Sequence, residues 1–419
     1  MKRLLFLLLF FCVGMSGAMA RSILAKDTVT YPFIVDSLSS LQFPDSVHFE
    51  RRDAFYDKLD SLVLCREGKI SILHIGGSHV QADCISHAIR CHFDSLNEEF
   101  RPARGLFFPY KVAKTNNPSS FSVKSKGEWT ASKNVKKERE AVLGMTGIAV
   151  STQDYSAGIQ VKLNTDSLNK RWTFTRLHLL GYGDSMAVPL LCEEDNSFHF
   201  PIEEEGHKSF LYEFNTPQDS FALWIAQTDS VPHKFHLRGF IAENDEPGIV
   251  YHSIGVNGAA VPSYLSCEDF KNDLALIRPD MVVFAIGIND AVPVNFSEDT
   301  FITRYDSLIS IIEEVNPSCF YIFMTNNDSF RKHGRRYNVN LNGLKVEHAF
   351  RVLAEKHHGG YWDLFGWMGG LKSMREWEKL GLARKDKIHF TKKGYEKIGT
   401  AFYNAVMKSY LERDIDDGK

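Results

Sequence analysis

The chain has 419 residues, of which 44% are hydrophobic and 24% charged, with 14 prolines. Those proportions suit a folded chain and exclude the disordered and collagen-like extremes, and at about 150 residues per domain the length predicts two or three domains. Basic and acidic residues number 49 and 52, a formal charge of −3, so there is no general basic field to hold a nucleic acid backbone.

The N-terminus departs from this average. Lys2 and Arg3 precede an apolar run from Leu4 to Val13, and small residues follow at Gly17, Ala18 and Ala20. A charged start, a short apolar centre and a small-residue exit predict a secretory signal over residues 1–20, cut after Ala20, because a spanning helix needs about 20 apolar residues. Cys12 follows the bulky Phe11, which argues against lipid attachment. No later stretch is long and apolar enough to span a bilayer, so the expected location is exported, periplasmic or secreted.

Residues 21–104 open with an irregular lead, followed by a predicted helix over Arg52 to Leu64. The apolar strand Ile70 to Ile75 then runs into Gly76-Gly77-Ser78. Ala88, Ile89, Cys91 and Phe93 place a helix behind that turn. Over residues 105–247 the period changes. Ile159 to Leu163, Trp172 to Thr175, Phe210 to Phe214, Phe221 to Trp224 and Phe235 to Ile241 are short runs parted by turn residues, the pattern of an antiparallel sandwich. Trp129, Trp172 and Trp224 in this region are candidates for stacking on sugars, although aromatic residues in sandwiches more often fill the core.

Alternation of strand and helix returns over residues 248–419. Ile249 to Ile254, Met281 to Ile286 and Cys319 to Met324 read as buried strands. Phe301 to Val315, Gly343 to His357 and Thr391 to Leu411 read as helices, with apolar residues at helical spacing. Such alternation predicts a parallel sheet covered on both faces. The expected fold is therefore one discontinuous α/β domain, 21–104 and 248–419, interrupted by a β-sandwich.

Six cysteines follow Cys12: Cys65, Cys84, Cys91, Cys192, Cys267 and Cys319. None is in a Cys-x-x-Cys pair, and a chain this long does not need disulfide staples, so buried free thiols are expected. The 16 histidines offer no spacing that points to a metal. His357-His358, at a predicted helix end, reads as favourable charge near the C-terminal dipole. No cofactor or metal is expected.

In open parallel sheets ligands sit beyond the carboxyl ends of the strands, which directs attention to four places. Gly76-Gly77-Ser78-His79 presents a hydroxyl at a tight strand exit. Gly255-Val256-Asn257-Gly258 and Gly287-Ile288-Asn289-Asp290 offer close backbone approach and an uncharged amide donor. Asp386-Lys387-Ile388-His389 supplies a base and a carboxylate to orient it. Asn326-Asn327-Asp328, after another strand, has no assigned role. Each motif alone fits an ordinary turn.

Together the four resemble the blocks of the SGNH hydrolases, or GDSL esterases: Gly-Asp-Ser, a Gly, Gly-x-Asn-Asp and Asp-x-x-His, here in family order over residues 68–100 and 248–412. The resemblance implies a three-layer flavodoxin-like domain. It implies Ser78 as nucleophile, His389 as base, Asp386 as the orienting carboxylate, and an oxyanion hole from Ser78 N–H, Gly258 N–H and the Asn289 side chain. One departure is Gly77, where the family has Asp, which puts the steadying of the serine turn, and hence full activity, in question. The large β insertion and the run Gly76 to Asp83 look like bacterial peptidoglycan O-acetylesterases that carry a carbohydrate-binding-module-like domain. By that resemblance the substrate is an O-acetylated glycan, with peptidoglycan first. An O-acetyltransferase on the same glycan and a catalytically weak glycan-binding protein are the alternatives.

Overall fold

Strand β1, Lys69–Gly76, is buried along nearly all its length, as a parallel strand covered on both faces must be. In this computed structural model, residues 23–416 are described apart from 28, 167–171, 193–196 and 205. The predicted signal segment and Cys12 lie outside the described residues. Four more strands pair with β1 in one parallel sheet: β2 (Gly248–Gly255), β3 (Met281–Ala285), β4 (Phe320–Met324) and β5 (Gly360–Trp362). Their spatial order is β2-β1-β3-β4-β5. This is the flavodoxin-like arrangement, in which the order reverses between β1 and β3 and opens a crevice at the carboxyl ends of those strands.

Between β1 and β2 the chain builds two antiparallel sheets. One centres on Ser209–Gln218, Phe174–Gly183 and Phe235–Glu243. The other runs through Phe121–Lys126, Gly158–Leu163, Ser220–Gln227 and Ala187–Cys192. Phe221 of the second sheet meets Phe240 and Phe174 of the first, with ring centroids 4.9 and 6.0 Å apart. The fold is thus an α/β domain with a parallel sheet, interrupted by an antiparallel β-sandwich.

The sandwich is seated rather than tethered. A single apolar cluster runs from Phe107 and Phe240 in the sandwich to Leu73, Ile75, Val282 and Phe284 on one face of the parallel sheet. The other face, with Ile70, Ile72, Met281 and Val283, packs on Phe55, Ile89 and Phe402 from the helices Glu50–Asp60, Cys84–Asp94 and Lys392–Asp416. Polar ties cross the same junction: Leu106 N–H donates to His252 Nδ1 (2.9 Å) and Tyr110 O–H to the Gly255 carbonyl (3.0 Å).

Several readings of the sequence need adjustment. Trp172 precedes the strand that begins at Phe174. It is buried, donates to Asp94 Oδ2 at 2.8 Å and lies beside the guanidinium of Arg90, so it offers no ring to a sugar. Trp129 is partly buried, its indole N–H bound to the Lys126 carbonyl. Trp224 lies half-buried on the outer face of its sheet, close against Gly158. Among the described residues the six cysteines form no disulfide, but Cys65 is exposed and Cys84 and Cys91 are half-buried rather than buried. His357 is not a free cation at a helix end: it bonds Asp306 at 2.8 Å, and burial lowers its pKa.

Candidate active site

Two close approaches fix the serine turn. A Cβ on Gly76 would lie 2.2 Å from Val80 Cγ2, and one on Gly255 would lie 2.3 Å from the Gln81 nitrogen, so the short helix Ser78–Gln81 sits against the ends of β1 and β2 only because both end in glycine. Tyr264 O–H donates to the Gly76 carbonyl at 2.8 Å, and Gln81 N–H to that of Gly77 at 3.0 Å. Ser78 emerges half-buried at the crevice between β1 and β3.

From the opposite end of the chain, His389 reaches Ser78, with Nε2 2.8 Å from Oγ. Asp386 secures this histidine twice. Its Oδ1 accepts the backbone N–H groups of Ile388 and His389, and its Oδ2 accepts from His389 Nδ1, all at 2.9 Å. With Nδ1–H committed to the carboxylate, Nε2 is left to accept the serine proton, which is the tautomer a general base needs. Burial alone would raise the Asp386 carboxyl, but the hydrogen bonds from His389 hold it below its usual range, so it stays ionised. Asn327, which had no assigned role, steadies this loop by donating to the Ile388 carbonyl at 3.0 Å.

The donor side is built by two turns. Ala259 N–H closes on the Val256 carbonyl at 2.9 Å, and Gly258 inside that turn has φ +86°, a conformation glycine adopts without strain. Asn289 donates to the Ala259 carbonyl at 2.8 Å, leaving its second amide hydrogen unspent. Asp290 accepts from Val261 N–H, and burial pushes its carboxyl up to about 6.

The predicted residues Ser78, His389 and Asp386 are joined by hydrogen bonds, and the loops of Gly258 and Asn289 meet beside Gly77. A Cβ on Gly77 would lie 3.4 Å from both the Ala259 carbonyl oxygen and Asn289 Nδ2, so glycine is not forced there by packing. The turn is held instead by Tyr264 and by the end of its own helix.

Sequence reasoning missed the groups around Asp83. This buried carboxylate accepts from Ser253 (3.0 Å), Ser120 (3.1 Å), Arg104 (3.2 Å) and Arg90 (3.4 Å). Burial opposes its ionisation, and the two guanidinium groups override that, holding it well below the usual carboxylate range. Behind the serine, His79 bonds the Tyr395 hydroxyl at 2.9 Å, and burial lowers its pKa to about 3, so it packs as a neutral ring. Away from the crevice, Asp45, His48 and His358 converge, with both imidazole Nδ1 atoms on Asp45 Oδ2 at 2.8 and 2.5 Å; Asp45 and His48 are three residues apart, but His358 joins them from 313 positions beyond Asp45, which spacing does not reveal.

Residues 228–397 match the profile of the GDSL-like Lipase/Acylhydrolase family, and the chain carries a GDSL/SGNH acylhydrolase domain. That match takes in Gly258, Asn289, Asp386 and His389 but begins well past Ser78, which the sandwich separates from the rest. Among solved structures, a peptidoglycan O-acetylesterase is 18% identical, aligns over 88% of this chain and 99% of its own, and has a TM-score of 0.71. An acetyl xylan esterase is 19% identical over 36% of this chain and 78% of its own (TM-score 0.29). A GDSL-like lipase from Bacteroides thetaiotaomicron is 17% identical over 37% and 74% (TM-score 0.29). No curated protein matches the chain. The first likeness extends over the sandwich as well as the α/β part, so the interrupted fold itself is shared. Among the described residues, no helix is long and apolar enough to cross a membrane.

Proposed function

We propose that this chain is an exported serine esterase that removes O-acetyl groups from a polysaccharide, with cell-wall peptidoglycan the first candidate. The single observation that carries this reading is the unbroken line Ser78 Oγ, His389 Nε2, His389 Nδ1, Asp386 Oδ2, with links of 2.8 and 2.9 Å, at the switch point of the parallel sheet. The SGNH-type fold, its interruption by a sandwich over about 105–247, and the charged, apolar and small-residue start of the sequence support the finer parts.

In this mechanism Ser78 Oγ attacks the acetyl carbon as His389 Nε2 takes its proton. The carbonyl oxygen becomes an oxyanion, received by Ser78 N–H, Gly258 N–H and the free hydrogen of Asn289. The tetrahedral intermediate collapses, the C–O bond to the sugar breaks, and His389 returns the proton to the leaving sugar oxygen. Water then attacks the acetyl-serine, again giving its proton to His389. Acetate departs, and the proton goes back to Ser78. Asp386 remains ionised throughout and stabilises the imidazolium.

Acetate released from an O-acetylated glycan and from an aryl acetate, measured with wild type and Ser78→Ala, tests this reading. Release by wild type alone is the expected result. Equal release by both proteins removes Ser78 from the mechanism. Acetyl transfer to an added oligosaccharide that outruns hydrolysis would make the chain a transferase instead.

A further inference from the structure

The Gly258 N–H belongs to the middle peptide of the turn Val256–Ala259, the unit of a β-turn that can rotate while the chain on either side stays in place. Glycine makes that rotation easier, not harder. Something else must therefore hold this donor toward the crevice, and the neighbouring residue is tied at both ends. Asn257 N–H donates to Gln81 Oε1 at 2.7 Å, and Asn257 Nδ2 donates to Asn116 Oδ1 at 2.7 Å and Thr115 Oγ1 at 3.2 Å.

Gln81 is in turn clamped from the other side. Its Nε2 lies 3.0 Å from Thr115 Oγ1, 2.9 Å from Asn116 Oδ1 and 3.2 Å from the Asn116 carbonyl. Three acceptors surround two amide hydrogens, the side-chain oxygen is engaged, and the residue is 1% exposed. Gln81 has nothing left to offer a substrate, so any effect it has on the reaction passes through Asn257.

The two ends of this arrangement belong to different parts of the fold. Gln81 ends the helix that begins with Ser78, whereas Thr115 and Asn116 lie in the segment between Gly105–Phe107 and Phe121–Lys126, two strands of the sandwich sheets. The serine turn, the Gly258 turn and the sandwich are thus linked through one buried amide. We propose that Gln81 is a positioning residue that sets the Gly258 N–H in the oxyanion hole, and that Thr115 and Asn116 of the inserted sandwich lock it there. This rests on the esterase reading above and gives the insert a part in catalysis besides any contact with glycan.

Two substitutions separate positioning from stability. Gln81→Glu keeps an oxygen to accept from Asn257 N–H but loses the amide hydrogens and sets a carboxyl against the Asn116 oxygens. Gln81→Met removes every hydrogen bond but buries no charge. Measured on an aryl acetate, Gln81→Met lowers kcat about 10²-fold, the scale of a catalytic group displaced by about 1 Å, with KM little changed, and Gln81→Glu retains more of the activity. In thermal unfolding the order reverses, with Gln81→Glu the less stable of the two. Asn116→Ala lowers kcat less than Gln81→Met does.

Activities that follow the order of Tm, or a Gln81→Met kcat equal to wild type, overturn the positioning role. If wild type hydrolyses the ester and Ser78→Ala does not, that failure leaves the esterase reading standing. If wild type releases no acetate from any ester, both fall together.

Discussion

The two halves of the proposed relay are held by opposite means. Asp386 and His389 are three residues apart, and one carboxylate fixes the loop and the imidazole with three hydrogen bonds of 2.9 Å. Ser78 is held by nothing local of that kind. Its turn depends on glycines at the ends of two strands, on a tyrosine 188 positions away, and on Gln81, whose partner Asn257 is 176 positions along the chain. The proposed base belongs to a local motif, and the proposed nucleophile is placed by the whole fold. Changes on the histidine side should therefore strike chemistry and spare stability, whereas changes around the serine turn should strike both.

The largest effect on rate is expected at Asp386→Asn. An amide in place of Oδ2 donates to Nδ1 and imposes the tautomer in which Nε2 carries the hydrogen, so kcat falls about 10⁴-fold while Tm moves little. Steady-state kinetics with a thermal melt checks this, and a loss of fold would erase the contrast between the two sides.

On the serine side, Asp83→Asn leaves two buried guanidinium groups without their counter-charge. The expected cost is about 3–5 kcal/mol, read as a lower Tm at neutral pH. The pH dependence follows from the lowered pKa. Asp83 contributes its stability above its ordinary value of 3.8 and loses it as pH falls below that value toward the depressed folded-state pKa. The Tm gap between wild type and variant should close in acid below pH 3.8, and a gap constant with pH would mean that Asp83 acts by packing alone. Smaller in rate than Asp386→Asn, Asn289→Ala removes one donor and should cost about 10²–10³ in kcat, with KM nearly unchanged.

The same contrast explains what could be read from the sequence. The strands β1 to β4 stood out as apolar runs because parallel strands are buried on both faces, and the Asp386 block stood out because its partners are neighbours. The Asp83 cluster did not, since Arg90 and Arg104 enter from seven and 21 positions away and nothing in spacing marks a buried ion pair. Gln81 lies in the run Gly76 to Asp83 that carries the resemblance, but nothing in that run shows that the sandwich places Thr115 and Asn116 against it. Trp172 read as part of a strand, and only the packing of the sandwich on the α/β domain turned its ring inward to Asp94. Gly77 left open what steadies the serine turn, and the structure shows one distant support, Tyr264 on the Gly76 carbonyl, and one local, Gln81 N–H on the Gly77 carbonyl.

Labelling of the intact protein with a serine-directed fluorophosphonate, followed by peptide mass analysis, asks directly whether Ser78 is the activated nucleophile. A single adduct is expected on Ser78, absent in Ser78→Ala and much slower to form in His389→Ala. No adduct, an adduct on another residue, or equal labelling in the His389 variant would contradict it.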